Sequence, residues 1–264
     1  MVLTAKLVAA AVAFTTLTGA AVPGLPSPGV PPRGANDPSC TGPVVVLIHG
    51  TRADMTVNWG YISPRLREDG FCPWALDLPD RGQAPAAESA AAVGRFVREV
   101  RRATGARKVS ILGHSVGGIL GRHHVRFDGG RTRVDDLISM GTPQYGYWSP
   151  RPYDEVDAVF NTGCDSCWEL KAGSAYLRRL NRGDPTPARV SHTQLITEDD
   201  QVATPIDNQR LPEGHGVSNI VIQASCPDHH VDHFMMAADD VVYQWIRHAL
   251  RTRGPARPAW DVDC

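Results

Sequence analysis

Residues 108–120 read Lys108-Val109-Ser110-Ile111-Leu112-Gly113-His114-Ser115-Val116-Gly117-Gly118-Ile119-Leu120. The stretch opens as a short strand over 108–112, turns at Gly113 and passes into an apolar helical segment. The pattern Gly-x-Ser-x-Gly at that junction has a physical reason. A sharp strand-to-helix turn forces the serine into strained backbone geometry, and only small flanking residues avoid a clash. The result is an exposed Ser115 Oγ at the carboxyl end of a sheet, with a helix N-terminus behind it. A merely structural serine does not call for this strand–turn–helix setting.

Working outward, Pro43-Val-Val-Val-Leu-Ile-His49 is a continuous apolar run ending at Gly50, as expected of a strand buried on both faces. A helical stretch around 59–69 leads to Gly70, and a short strand is expected over 72–77. The clearest helix covers 87–103: Val93, Phe96, Val97 and Val100 share one stripe, while Arg95, Arg98, Glu99 and Arg102 face away. Gly105 is placed to end it. Downstream, strands are expected over 134–140, 190–197 and 218–223, with a final helix over 239–251. Residues 144–189 show no clean period and read as an insertion over one end of the sheet, with a short helix near 174–180. Strands alternating with helices specify an α/β fold, a mostly parallel central sheet with helices on both faces. One domain over 40–264 accommodates it.

Apolar residues make up 42% and charged residues 21% of the 264, ordinary values for a folded globular chain. The formal net charge of −1 supplies no overall field that would recommend nucleic acid or an anionic membrane as partner. Lys6 precedes an apolar run over 7–17, followed by Gly19, Ala20 and Ala21, which reads as a secretory signal over 1–21. The run is too short for a transmembrane anchor of about 20 residues. Residues 22–39, with Pro23, Pro26, Pro28, Pro31 and Pro32, are expected to form an exposed linker. All six cysteines lie beyond the signal, and an even count in an exported chain points to disulfides.

A serine at its free pKa is a poor nucleophile and needs a base, itself oriented by an acid. In chain order the acid should follow a late strand and the histidine the last one. Glu198-Asp199-Asp200 follows the strand over 190–197. Asp200 is preferred because Val202 and Pro205 beyond it suggest a loop turning back onto the domain, with Asp199 as its rival and Glu198 solvated. His229, His230 and His233 follow the last strand; His233 is preferred because Val231 and Phe234 flank it as anchors. His229 and His233, with Asp228 and Asp232, also have metal-ligand chemistry, but no helical period or further ligand supports that reading and no metal is expected. His123-His124 reads as structural. Acyl transfer further needs oxyanion donors: the Val116 N–H, and the Thr51 N–H in the loop His49-Gly50-Thr51, where Gly50 permits close backbone approach.

Taken together, His49-Gly50-Thr51, Gly-His-Ser115-Val-Gly-Gly, Gly141-Thr-Pro143, Asp200-Gln-Val and Val-Asp-His233 resemble the bacterial class 2 lipases and are similar to the yeast lipase B type. The likeness runs from about Cys40 to Cys264 and implies the α/β-hydrolase fold. It implies Ser115, Asp200 and His233 as a triad, with Thr51 and Val116 lining the oxyanion hole. It also implies disulfides Cys40–Cys72 and Cys226–Cys264, which leaves Cys164 and Cys167 as a local pair. His114, Val116 and the insertion over 144–189 depart from the yeast type.

The expected function is a secreted, extracellular, monomeric ester hydrolase working without a cofactor through an acyl-enzyme. The leading substrate is a triacylglycerol at a lipid–water interface. Tyr145, Tyr147, Trp148, Tyr153, Phe160 and Trp168 either line an acyl pocket or pack a surface loop. Competing readings are a short-chain carboxylesterase, an acyltransferase, a polyester depolymerase, and a non-catalytic secreted binding protein.

Overall fold

Among the described residues six strands build the sheet: Val44–Ile48 (β1), Cys72–Leu76 (β2), Val109–His114 (β3), Val134–Met140 (β4), Ser191–Ile196 (β5) and Val217–Val221 (β6). The computed structural model describes residues 29–147, 162–187 and 189–264. The strand order is β2-β1-β3-β4-β5-β6 and every pairing is parallel. Burial on both faces explains the unbroken apolar runs: all five side chains of β1 are buried. Val44, Val46 and Ile48 join one core cluster, and Val45 and Leu47 join the other.

Two helices close the first cluster. Ala86–Thr104 (α3) buries Val93, Val97 and Val100, and ends at Gly105 in the left-handed conformation. Val116–Phe127 (α4) packs beside it. On the other face lie Met55–Trp59 (α1), Ile62–Glu68 (α2) and Asp240–Arg251 (α8), which contributes Val242, Trp245 and Ile246. Asp239 caps α8 by accepting the Val242 N–H at 2.9 Å. Short helices Asp165–Glu169 (α5), Ala175–Asn181 (α6) and Ile222–Ser225 (α7) complete the described elements.

Two expectations change. The helix expected over 59–69 is two helices that meet at Gly60-Tyr61, because Asp54 caps the first by accepting the Val57 N–H. The described part of the linker, 29–39, is docked rather than free. Asn36 pairs with β2: its amide donates to the Ala75 carbonyl at 2.9 Å and accepts the Ala75 N–H at 2.7 Å. The signal over 1–21, together with Trp148, Tyr153 and Phe160, lies outside the described residues. Three disulfides are present, Cys40–Cys72, Cys164–Cys167 and Cys226–Cys264. No helix among the described residues is long and apolar enough to cross a membrane.

The register levels the carboxyl ends of the inner strands. Ile48 lies beside Gly113, His114 beside Met140, and Met140 beside Leu195. The loops that leave β1, β3, β4 and β5 therefore open at one edge.

Candidate active site

Ser115 stands alone between β3 and α4 with φ 53° and ψ −122°, left-handed backbone that a residue with a Cβ adopts only when its surroundings hold it there. Its N–H donates to the Met140 carbonyl at 2.9 Å, and the Thr142 hydroxyl donates to its carbonyl at 3.0 Å. The flanking glycines are steric necessities. A Cβ on Gly113 would lie 2.4 Å from the Gly117 carbonyl carbon, and one on Gly117 would lie 2.0 Å from the Ile48 carbonyl oxygen. The turn is thus compressed against β1 and α4, and the strain falls on the serine.

Across the same edge, the loop after β5 meets the loop before α8. His233 Nδ1 lies 2.9 Å from Asp200 Oδ2, with side-chain exposures of 3% and 0%. The carboxylate is saturated: Oδ1 accepts the Val202 and Ala203 N–H groups, and Oδ2 accepts Gln209 Nε2 at 3.0 Å. Burial by itself would raise the Asp200 pKa, but the His233 hydrogen bond and charge and the two backbone donors outweigh it and hold the acid below its ordinary value. Gly141, which follows the Met140 that holds Ser115, leaves the room: a Cβ there would sit 3.0 Å from His233 Nδ1. Ser115 Oγ itself makes no hydrogen bond among the described residues. Base–nucleophile contacts commonly tighten only when substrate is bound.

The rival groups are engaged elsewhere. Asp199 pairs with His230 in solvent, and His229 Nε2 meets Asp239 at 2.8 Å. His229 and His233 therefore address different carboxylates. Two reasons offered from sequence do not hold. Phe234 is not an anchor but an exposed ring set edge-on to His233, and Val202 and Pro205 are exposed while Ala203 and Gln209 fix the loop. Val231 is buried as expected.

The loop after β1 supplies the opposite wall. Among the described residues neither the Thr51 N–H nor the Val116 N–H has an acceptor, as open oxyanion donors require. A Cβ on Gly50 would lie 3.2 Å from Ser115 Cβ, so this loop abuts Ser115. His49 holds it from below: Nε2 accepts the Leu78 N–H at 2.9 Å, which leaves Nδ1 to donate to the Gly50 carbonyl at 2.7 Å. Buried Asp54 braces the far side through Arg81 at 2.8 Å. Residues 42–245 match the family model described as Lipase (class 2).

The chain belongs to the class 2 lipase family.

Solved structures agree on the fold. Lipase B of Aspergillus fumigatus superposes with a TM-score of 0.75 at 18% identity, covering 87% of this chain and 57% of that one. A Bacillus licheniformis lipase in mature form gives 0.62 at 17% identity over 81% and 94%. At such identities the likeness establishes the α/β-hydrolase fold alone, and this chain spans 57% of the Aspergillus chain. No curated protein matches the sequence.

Several residues of the site carried no sequence signal. Gln209 on Asp200, Asn58 on Gly50 and the Thr197–Gln223 pair beneath the histidine loop are isolated polar side chains far apart in sequence. Only their burial and their hydrogen bonds to residues of the site mark them out.

Proposed function

We propose that this class 2 lipase is a secreted serine hydrolase of carboxylic esters, with Ser115, His233 and Asp200 as its triad. The buried Asp200–His233 pair beside a strained Ser115 carries the reading. His233 Nε2 takes the Ser115 proton as Oγ attacks the ester carbonyl. The Thr51 and Val116 N–H groups receive the oxyanion, and the alcohol leaves with the proton. Water then attacks the acyl-enzyme by the same route. Asp200 fixes the histidine tautomer and steadies the imidazolium.

The surroundings of His233 favour long, water-insoluble esters. Phe234 is 61% exposed, Met235 53% and Val202 39%, an apolar rim beside the reacting edge. Three disulfides accord with an oxidising, extracellular setting.

The test is hydrolysis of esters of increasing acyl length, with Ser115→Ala in parallel. Activity that rises toward emulsified long chains and vanishes in the variant supports the lipase. Activity limited to short soluble esters makes it a carboxylesterase, and transfer to an added alcohol in preference to water an acyltransferase. Activity that survives Ser115→Ala, or is absent from both, overturns the proposal.

A further inference from the structure

His114 lies between the two halves of the proposed machinery. It is the last residue of β3, buried at 5% exposure, and its ring nitrogens point at one oxygen from α1 and one from the loop before α8. Nδ1 is 3.0 Å from Asn58 Oδ1, and Nε2 is 2.9 Å from the His233 carbonyl. The same Asn58 oxygen accepts the Gly50 N–H at 3.1 Å. The reverse amide orientation would set an NH2 group against that N–H, so the oxygen must face both partners. Asn58 and His114 in series thus join the His49–Gly50 peptide to the main chain of His233.

We infer that His114 is a positioning residue that holds the Gly50-Thr51 oxyanion loop and His233 in a common register. The inference rests on the esterase reading above. Both partners of the ring are acceptors, so a neutral ring donates to one and presents a lone pair to the other. Only the imidazolium would satisfy both. Burial, reinforced by the neighbouring His233, favours the neutral ring and brings the His114 pKa to about 3. Asp200 opposes that shift and His49 adds to it. The two ring planes are tilted with centroids 5.0 Å apart, so a neutral His114 also avoids a second cation beside the His233 imidazolium formed in each chemical step. One proton is therefore shared between two links, and its site decides whether Asn58 or the His233 main chain is held more tightly.

Two amide substitutions separate the links. His114→Asn carries an amide nitrogen near Nδ1 and keeps the link to Asn58. His114→Gln carries one near Nε2 and keeps the link to the His233 carbonyl. His114→Leu keeps bulk and loses both. Kinetics on a soluble ester and an NMR titration of the His233 ring would be recorded for each folded variant. His114→Leu should lower kcat by about tenfold or more with little change in KM, since slight misplacement of reacting groups is costly. It should also displace the His233 titration, which His114→Gln restores and His114→Asn does not.

A folded His114→Leu with wild-type kcat and an unmoved His233 titration overturns the inference. So do three variants whose losses simply follow their melting temperatures. The titration needs no turnover, so a wild-type protein without esterase activity would sink the esterase reading and still leave the positional claim decidable.

Discussion

Asp200 and His233 face each other at 2.9 Å inside the protein, whereas the neighbouring Asp199 meets His230 at the same distance with exposures of 37% and 79%. Two acid–histidine pairs of like geometry thus stand on the same two loops, one dry and one wet. Solvent screens the outer pair and leaves the inner one the stronger.

Kinetics of the amide variants should follow that difference. Asp200→Asn removes the hydrogen-bond partner of His233, and under the proposed mechanism kcat should fall by about 10³-fold or more, as in serine hydrolases that lose this acid. Asp199→Asn should change it less than about threefold. Steady-state rates on a soluble ester check both, and a crippling Asp199→Asn with a mild Asp200→Asn would reverse the assignment.

Ser115 gives a stability prediction. Its positive φ stores about 1–3 kcal/mol. Ser115→Gly should therefore raise the free energy of unfolding by about 1 kcal/mol or more while abolishing activity. Ser115→Ala, which keeps a Cβ, should abolish activity without that gain. Denaturant unfolding of the three proteins decides the matter; equal midpoints would mean that the turn is unstrained.

Acid stability should be governed by buried neutral histidines. Burial lowers His114 and His192 to about 3 and His124 to about 4. A group whose folded pKa lies below its unfolded value binds more protons when unfolded, so its contribution is complete above pH 6.5 and lost as pH falls toward the folded value. Melting temperature should decline steadily between pH 6.5 and 4. Both His192 ring nitrogens lack a partner among the described residues. His192→Leu should flatten the decline without touching the proposed site, and an unchanged slope would remove His192 from the account.

The disulfides should differ in worth with the length of chain they close. Cys226–Cys264 spans 38 positions and Cys164–Cys167 spans three. Loop-closure entropy assigns about 4 kcal/mol to the long bridge and about 2 kcal/mol to the short one. Paired serine substitutions with denaturant unfolding would measure each, and a larger loss at Cys164–Cys167 would contradict the ordering.

Much of this architecture is legible without coordinates, for identifiable reasons. A strand buried on both faces writes an unbroken apolar run, so Val44–Ile48 stands out. The turn at Ser115 writes small residues, because Gly113 and Gly117 touch backbone. Loops write less. Asp200 meets His233, but through Gln209 and the Ala203 N–H rather than through the apolar Val202 and Pro205 that favoured it in the sequence. Phe234 reads as an anchor because it is apolar, yet it lies open where substrate would arrive. Asn58 was invisible, since one asparagine has no period and its partners are Gly50 and His114.

β2 is an outermost strand, and the hydrogen bonds of Asn36 with Ala75 and Pro73 occupy its free margin. A bare sheet margin is a template on which strands of other molecules can add. Residues 29–39, through Asn36, therefore guard that margin against self-association. A shortened form beginning at Cys40 would keep every member of the proposed triad and yet present an adhesive flank, and should assemble more readily with rising concentration than the full chain.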